Sequence, residues 1–274
     1  MNQAEIDAQN AEFWNTLCGT GLAQMLGITD GSPVSLKKFD DWYLDYYPYL
    51  LQHVPVHTMG GKDALEIGLG YGTLSQQIAM AGARYNGLDI ARGPVDMVNS
   101  RLAQNGLPGR AVQGSMLQCP FPDASFDCVV SIGCFHHTGD TQRCLDETFR
   151  ILRPGGHAYL MLYNRFSWRQ WKDYPKQTVS ALLREWIGVR ENPESTTAQR
   201  AAYDTDTKGH AAPETQFYST GQIGTMMARF SSVECTKENC DDEIKDGVVV
   251  RKRSDMLATR GKKFGMDIYI DAVK

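Results

Sequence analysis

The segment Asp63-Ala64-Leu65-Glu66-Ile67-Gly68-Leu69-Gly70-Tyr71-Gly72-Thr73 constrains this chain more than any other. A short apolar run ends in an acid, glycines then alternate with other residues, and a helix-spaced pattern continues from Leu74 to Ala81. That order predicts a strand, a tight turn and a helix, which is the nucleotide-binding corner of an open α/β sheet. Glycine tolerates positive φ and lets a ligand approach the backbone closely. The helix N-terminus offers unpaired N–H groups and partial positive charge to an anionic group.

The spacing narrows the ligand. A nicotinamide fingerprint places glycines at its first, third and sixth positions. Here Gly68, Gly70 and Gly72 occupy the first, third and fifth, and Thr73 stands in the sixth. Glu66, two residues before the first glycine, is poorly placed for a pyrophosphate and suits a ligand with an ammonium group. Downstream, Arg84 to Ile90 reads as a second strand closing on Asp89. A carboxylate there can accept hydrogen bonds from both hydroxyls of a ribose, and Ile90 can pack on an adenine face.

Two more segments follow in order, Phe126-Asp127-Cys128-Val129-Val130-Ser131 and Leu152-Arg153-Pro154-Gly155-Gly156. With the glycine turn and Leu88-Asp89, they make the chain resemble the class I S-adenosylmethionine-dependent methyltransferases. The likeness is to the small-molecule branch that includes the ubiquinone and menaquinone biosynthesis methyltransferases. It covers about residues 62 to 163. The resemblance implies a Rossmann-like, mostly parallel seven-stranded sheet with helices on both faces, and S-adenosylmethionine as cofactor. It places Glu66, Gly68, Gly70, Tyr71 and Gly72 at the methionine end, Asp89 and Ile90 at the ribose and adenine, and Ser115 and Met116 at the adenine. Ser131 and Gly133 then lie in the segment that passes the transferable methyl group. The family often has Gly-Asp after the third strand. This chain has Gly114-Ser115-Met116, where Ser115 can still accept a hydrogen bond.

A length of 274 residues holds one α/β domain with elaborations or two small domains. We read residues 1–60 as an N-terminal helical cap, 61–164 as the cofactor-binding core, 165–216 as a substrate lid, and 217–274 as strands and a helix completing the sheet. In the last part, Ser219 or Thr220 caps a helix running to about Phe230. Strands follow near 232–236 and 266–272, and the insertion 241–264 shows no readable pattern. The net charge of −4 opposes a nucleic-acid partner, because phosphate binding needs clustered cations. The one basic cluster, Arg251, Lys252, Arg253, Arg260, Lys262 and Lys263, reads as a solvated face. The seven cysteines include no Cys-x-x-Cys pair, so neither a zinc site nor a disulfide frame is indicated. Met1 to Glu12 lacks the apolar core of a signal peptide, and no apolar run reaches membrane-spanning length. The expectation is a cytoplasmic protein with a small-molecule partner. Oligomeric state has no signature in the sequence.

Right-handed βαβ crossovers give a parallel sheet whose ligands bind beyond the carboxyl ends of the strands. Glu66, Asp89, Ser115, Ser131 and Tyr163 all fall at such ends and should share one rim. Asp127 opens its strand and faces the opposite end, where a structural role is expected. Beyond Ser131 come His136 and His137. One can act as a general base, one can only orient a ligand, or both can be structural, and adjacent side chains diverge. Tyr163 and Asn164 either line the substrate pocket or serve as a packed aromatic and a turn former. Arg165 either binds a substrate carboxylate or lies in a solvated loop. Phe39, Trp42, Tyr43, Tyr46, Tyr47 and Leu50 follow helical spacing up to Pro48. They form a packing stripe from which Tyr46 can reach a ligand, since aromatic faces suit a sulfonium. Phe13, Trp14, Phe217 and Tyr218 are similar candidates, with Tyr218 assigned to the substrate.

The reading is a methyltransferase that passes the methyl group to a small-molecule nucleophile by in-line displacement, with catalysis mostly by positioning. Its alternatives are a cofactor-binding homologue with other chemistry, a binding subunit, or a protein or RNA methyltransferase. Acidic charge and the absence of an Asn-Pro-Pro-Tyr tetrapeptide oppose the nucleic-acid version.

Overall fold

The computed structural model describes residues 2–15, 23, 25–189, 192–206 and 208–274, so Met1 and Cys18 lie outside the described residues. In chain order the strands are β1 (Asp63–Ile67), β2 (Arg84–Asp89), β3 (Arg110–Gln113), β4 (Phe126–Ile132), β5 (Leu152–Tyr163), β6 (Ser232–Glu238), β7 (Glu243–Lys245), β8 (Val248–Arg251) and β9 (Asp267–Val273). Seven of them form one sheet in the order β3-β2-β1-β4-β5-β9-β6. The first five run parallel, and β9 lies antiparallel between β5 and β6.

Period-two alternation gives the sheet two apolar faces. Leu65, Ile67, Val129, Leu160, Ile268 and Ile270 pack on one side. They meet helices α5 (Thr141–Ile151) and α8 (Thr220–Met226), through Leu145 and Ile223 among others. Ala64, Val130, Tyr159, Met161 and Tyr269 pack on the other. There Ile78 comes from α3 (Thr73–Met80) and Val98 from α4 (Arg92–Gln104). By the same alternation Glu66, Tyr163 and Asp267 project to this second face.

Before the sheet stand α1 (Gln3–Phe13) and the aromatic helix α2 (Pro33–Tyr46). Ser32 caps α2 by accepting Ser35 N–H at 3.3 Å, and Pro33 occupies its first turn. Between β5 and α8 lie α6 (Trp168–Asp173) and α7 (Pro175–Trp186). Helix α8 begins as its sequence predicts, with Ser219 Oγ accepting Gln222 N–H at 3.1 Å. It ends four residues short of Phe230, whose ring is buried against the core.

The unreadable insertion contains a hairpin, β7 paired with β8. Its turn residues Asp246 and Gly247 have φ of 51° and 78°, the left-handed pair that a two-residue hairpin loop requires. The basic cluster is not one solvated face. Arg253 is buried over the Tyr46 ring, Arg260 pairs with Glu243, and Lys262 pairs with Glu238. At the far end of the strands, Asp127 accepts Asp63 N–H at 2.8 Å and pairs with Arg153, which ties β1, β4 and β5 together. Among the described residues no helix is long and apolar enough to cross a membrane.

Candidate cofactor and acceptor site

The three glycines of the turn all have positive φ, and each has its own reason. A Cβ at Gly68 would meet Cys134 Cβ at 2.5 Å, so this glycine lets the β4 loop close over the turn. A Cβ at Gly72 would meet Val98 and Arg101, so this one seats α4. A Cβ at Gly70 would meet nothing within 4 Å, so this position faces open space. Gly72 caps α3 in the left-handed conformation, which aims the first N–H groups of that helix toward the rim.

Glu66 is buried, and its Oε2 accepts Ser75 Oγ at 2.5 Å and Tyr85 OH at 2.8 Å. Burial pushes its carboxyl up to about 7. Asp89 bridges the two loops that define the corner. Its Oδ2 accepts Leu69 N–H and its Oδ1 accepts Ala91 N–H, each at 2.8 Å. Each oxygen retains a second lone pair for a ligand hydroxyl. Burial raises this carboxyl to about 6 against those hydrogen bonds. Ile90 is half-buried beside them, and its carbonyl accepts Gln113 Nε2 at 3.0 Å. Ser115 is half-buried and its Oγ caps the turn at Leu117 N–H, 3.3 Å away. Ser131 Oγ donates to the Ile67 carbonyl at 3.1 Å, holding the ends of β4 and β1 together. Gly133 has φ of 76° and lies beside Met161.

A buried ionic network holds the cap helix to this corner. Arg101, 1 % exposed, sits in the apolar stripe of α4 formed by Val95, Val98 and Leu102. It donates to Tyr71 O at 2.8 Å, to Gln76 Oε1 at 2.6 Å and to Asp40 of α2. Asp40 in turn accepts Thr73 Oγ1 at 2.6 Å, at the first residue of α3.

The second half of the rim lies at β5 and β9. Tyr163 OH donates to Asp204 Oδ2 at 2.9 Å, and that oxygen lies 3.5 Å from His137 Nε2. His137 Nδ1 is 2.7 Å from the Glu214 carbonyl and therefore carries a proton. His136 is 0 % exposed, packs its ring 4.0 Å from Tyr163, and has no hydrogen-bond partner for either nitrogen among the described residues. Burial first, then His137, pushes its pKa well below the ordinary value, so it is neutral. Burial and Asp204 raise the Tyr163 phenol well above its ordinary value. Asp267 faces Tyr163 across the β5–β9 ladder, which puts both side chains on one face.

Five residues expected to meet a ligand commit their side chains to the protein. The Tyr71 ring stacks on Phe39 at 4.1 Å. Met116 is in the core on the α5 side. Tyr46 carries the Arg253 guanidinium 3.8 Å over its ring. Asn164 donates to Gly265 O at 2.6 Å and accepts Phe166 N–H at 3.0 Å, the turn role. Tyr218 donates to Gln216 Oε1 at 2.7 Å and lines a cavity of about 750 Å³ with Thr141 and Asn192, apart from the glycine turn. Arg165 is buried, donating to Phe217 O at 2.7 Å and to Asn192, so it is not a solvated loop residue. The sequence reading missed Asp40, Arg101, Asp204 and Asp267. Arg101 had a signal, since an arginine inside an apolar helical stripe needs a buried partner.

An open α/β sheet with a glycine turn, an acid at the end of each of its first two strands and this strand order defines a nucleotide-binding domain of the methyltransferase kind. Residues 65–160 match the family model described as a methyltransferase domain. A protein of Mycolicibacterium smegmatis named a "probable S-adenosylmethionine-dependent methyltransferase" is 34 % identical over 43 % of this chain and 45 % of its own length. The demethylmenaquinone methyltransferase of Tropheryma whipplei is 30 % identical over 46 % of this chain and 48 % of its own. The chain thus spans about half the length of these curated relatives. An S-adenosylmethionine-dependent methyltransferase structure from Mesorhizobium loti superposes with a TM-score of 0.52 at 15 % identity, covering 83 % of this chain and 97 % of that one, which shows the shared fold.

Proposed function

We propose that this protein transfers a methyl group from S-adenosylmethionine to a small-molecule acceptor in the cytoplasm, with no nucleic-acid partner. The observation that supports it most is the rim itself. It combines a glycine turn open at Gly70, the Asp89 carboxylate one strand away, and a buried imidazole, His136, with both nitrogens unpartnered. The donor set fits the cofactor. Glu66 and the N–H groups of the turn suit an amino acid end, Asp89 a ribose diol, and Ile90 with Ser115 an adenine. When bound, this cofactor would supply an electrophilic methyl carbon to the acceptor's lone pair, with a neutral thioether as the leaving group. The protein's own part is to align the acceptor and exclude water. The neutral His136 can take a proton from an acceptor that carries one. The described residues within 1–60 and 165–216 would supply the walls over the acceptor, with Tyr203 and Asp204 coming from the second segment.

Calorimetry with S-adenosylmethionine and with S-adenosylhomocysteine tests the reading. Both should bind with one-to-one stoichiometry, and isotope-labelled methyl should appear in a metabolite extract. A folded protein that gives no binding heat with either would remove the proposal.

A further inference from the structure

We propose that the acceptor carries a protonated amine, held by the carboxylates of Asp204 and Asp267 against the tyrosine rings at the β5–β9 end of the rim. This rests on the methyl-transfer reading of the same site and adds the chemistry of the acceptor.

The placement follows from topology. Because β9 runs antiparallel, its first residue, not its last, lies on the ligand rim. Asp267 is that residue, opposite Tyr163 and 2 % exposed. Its Oδ2 accepts Asn239 Nδ2 at 3.0 Å, and its Oδ1 has no partner among the described residues. No Lys, Arg or His among them lies within ion-pair distance of it, because the nearby cations are engaged elsewhere. Arg169 forks onto Asp241, Arg253 bonds Asn239 Oδ1 and covers Tyr46, and Lys262 bonds Glu238. Arg169 and Arg253 act on Asp267 only across space, and a buried carboxylate with no cation in contact is costly and recovers most from one that reaches it. Burial has pushed Asp267 up to about 7. Asp204 adds a second carboxylate, with His137 Nε2 3.5 Å from its Oδ2.

The surroundings are aromatic. Tyr203, whose ring already carries the Arg169 guanidinium at 4.5 Å, lies 4.7 Å from the Tyr163 ring, and Tyr47 lies within electrostatic reach of Asp267. Tyrosine faces attract an ammonium and offer nothing to a carboxylate or phosphate, which the two acids would also repel. An ammonium has no lone pair, so such an acceptor must shed a proton before its nitrogen can bond to carbon. His136, neutral and unpartnered beside Tyr163, is in place to accept it.

The test uses three fragments of matched shape, 2-phenylethylamine, 2-phenylethanol and 3-phenylpropanoate, titrated into the full chain by NMR. S-adenosylhomocysteine calorimetry runs in parallel. The amine should bind at least about tenfold more tightly than the alcohol, and the carboxylate should not bind. Asp267→Asn and Asp204→Asn should each lower the amine's affinity by about tenfold, the scale of one charge-assisted contact. Neither should change the affinity for the alcohol or for S-adenosylhomocysteine. If Asp267→Asn does not fold, Asp204→Asn, whose carboxylate is partly exposed, carries the test. Equal binding of alcohol or carboxylate, an amine preference that survives both substitutions, or no fragment bound by a protein that binds S-adenosylhomocysteine would overturn the proposal. An amine preference without S-adenosylhomocysteine binding would instead overturn the methyl-transfer reading and leave the amine site standing.

Discussion

Glu66→Gln would show how the buried rim is charged. The carboxyl is 4 % exposed and takes hydrogen bonds from Ser75 and Tyr85 on one oxygen, yet burial dominates and lifts it from 4.5 to about 7. Below the lower value both folded and unfolded chains hold the proton, and the shift has no effect on stability. Between the two values the unfolded chain releases its proton while the folded chain keeps it, so stability falls as pH rises. Above the upper value the full penalty applies, about 3 kcal/mol for a shift of this size. The amide keeps the shape and removes the charge. It also places an N–H₂ where an oxygen stood, a loss of about 1 kcal/mol at every pH. The variant should therefore be slightly less stable than the wild type near pH 4.5 and about 2 kcal/mol more stable near pH 8. Asp267, also raised by burial, tilts both proteins equally and cancels in the difference, whereas the charge of Asp89 helps to raise Glu66 and is part of the effect. Urea unfolding of both proteins at three pH values measures it. A stability difference that does not change with pH would refute the reasoning. On the proposed reading Glu66 faces the amino acid end of the cofactor, so the same variant should bind S-adenosylmethionine more weakly.

Gly68→Ala should destabilise the protein by about 1–3 kcal/mol through the Cys134 contact and its positive φ. Gly70→Ala should lose only about 1–2 kcal/mol from its φ but weaken cofactor binding at least about tenfold; melting curves and calorimetry separate the two. Arg101→Met leaves the half-buried Asp40 without its cation and should cost about 2–4 kcal/mol in chemical denaturation. A double-mutant cycle with Asp40→Asn should give coupling above about 1 kcal/mol, and additivity would refute the network. His136→Gln should keep cofactor affinity and lower turnover by about 10²–10⁴. In the wild type the acid limb of the rate should lie well below the ordinary histidine pKa, and a limb at or above it would contradict the burial seen here.

The first five strands were legible from local signals that differ from strand to strand: apolar runs in β1, β4 and β5, a glycine turn after β1, and acids near the ends of β1 and β2. The rule that ligands gather beyond the carboxyl ends then placed Glu66, Asp89, Ser131 and Tyr163 along one edge, where the structure has them. That rule holds for parallel strands, and it hid Asp267. The alternating Met-Asp-Ile-Tyr-Ile-Asp was readable as a strand, but its direction was not, and direction decides which end meets a ligand. Asp204 was hidden for another reason. It lies in an irregular segment, and only the fold brings it to Tyr163 across 41 positions of chain. The aromatic stripe was read correctly as packing, yet Tyr46 was credited with reach that Arg253, more than two hundred residues away, takes up. The insertion was opaque because its strands are three and four residues long and the second has no buried side chain, so no period had room to show.

The reversed last strand also decides how a lineage of such proteins can change. Gly68 to Gly72 and Asp89 come from β1, β2 and the turns that follow them, within the segment that matches the methyltransferase domain. Tyr163, Asp204, Asn239, Arg253 and Asp267 all come after that segment ends. A strand that begins inside the matched segment and one that lies wholly beyond it therefore meet along a single ladder, β5 against β9. On the proposed reading, substitutions after residue 160 would retune what is recognised while the nucleotide corner stays as it is.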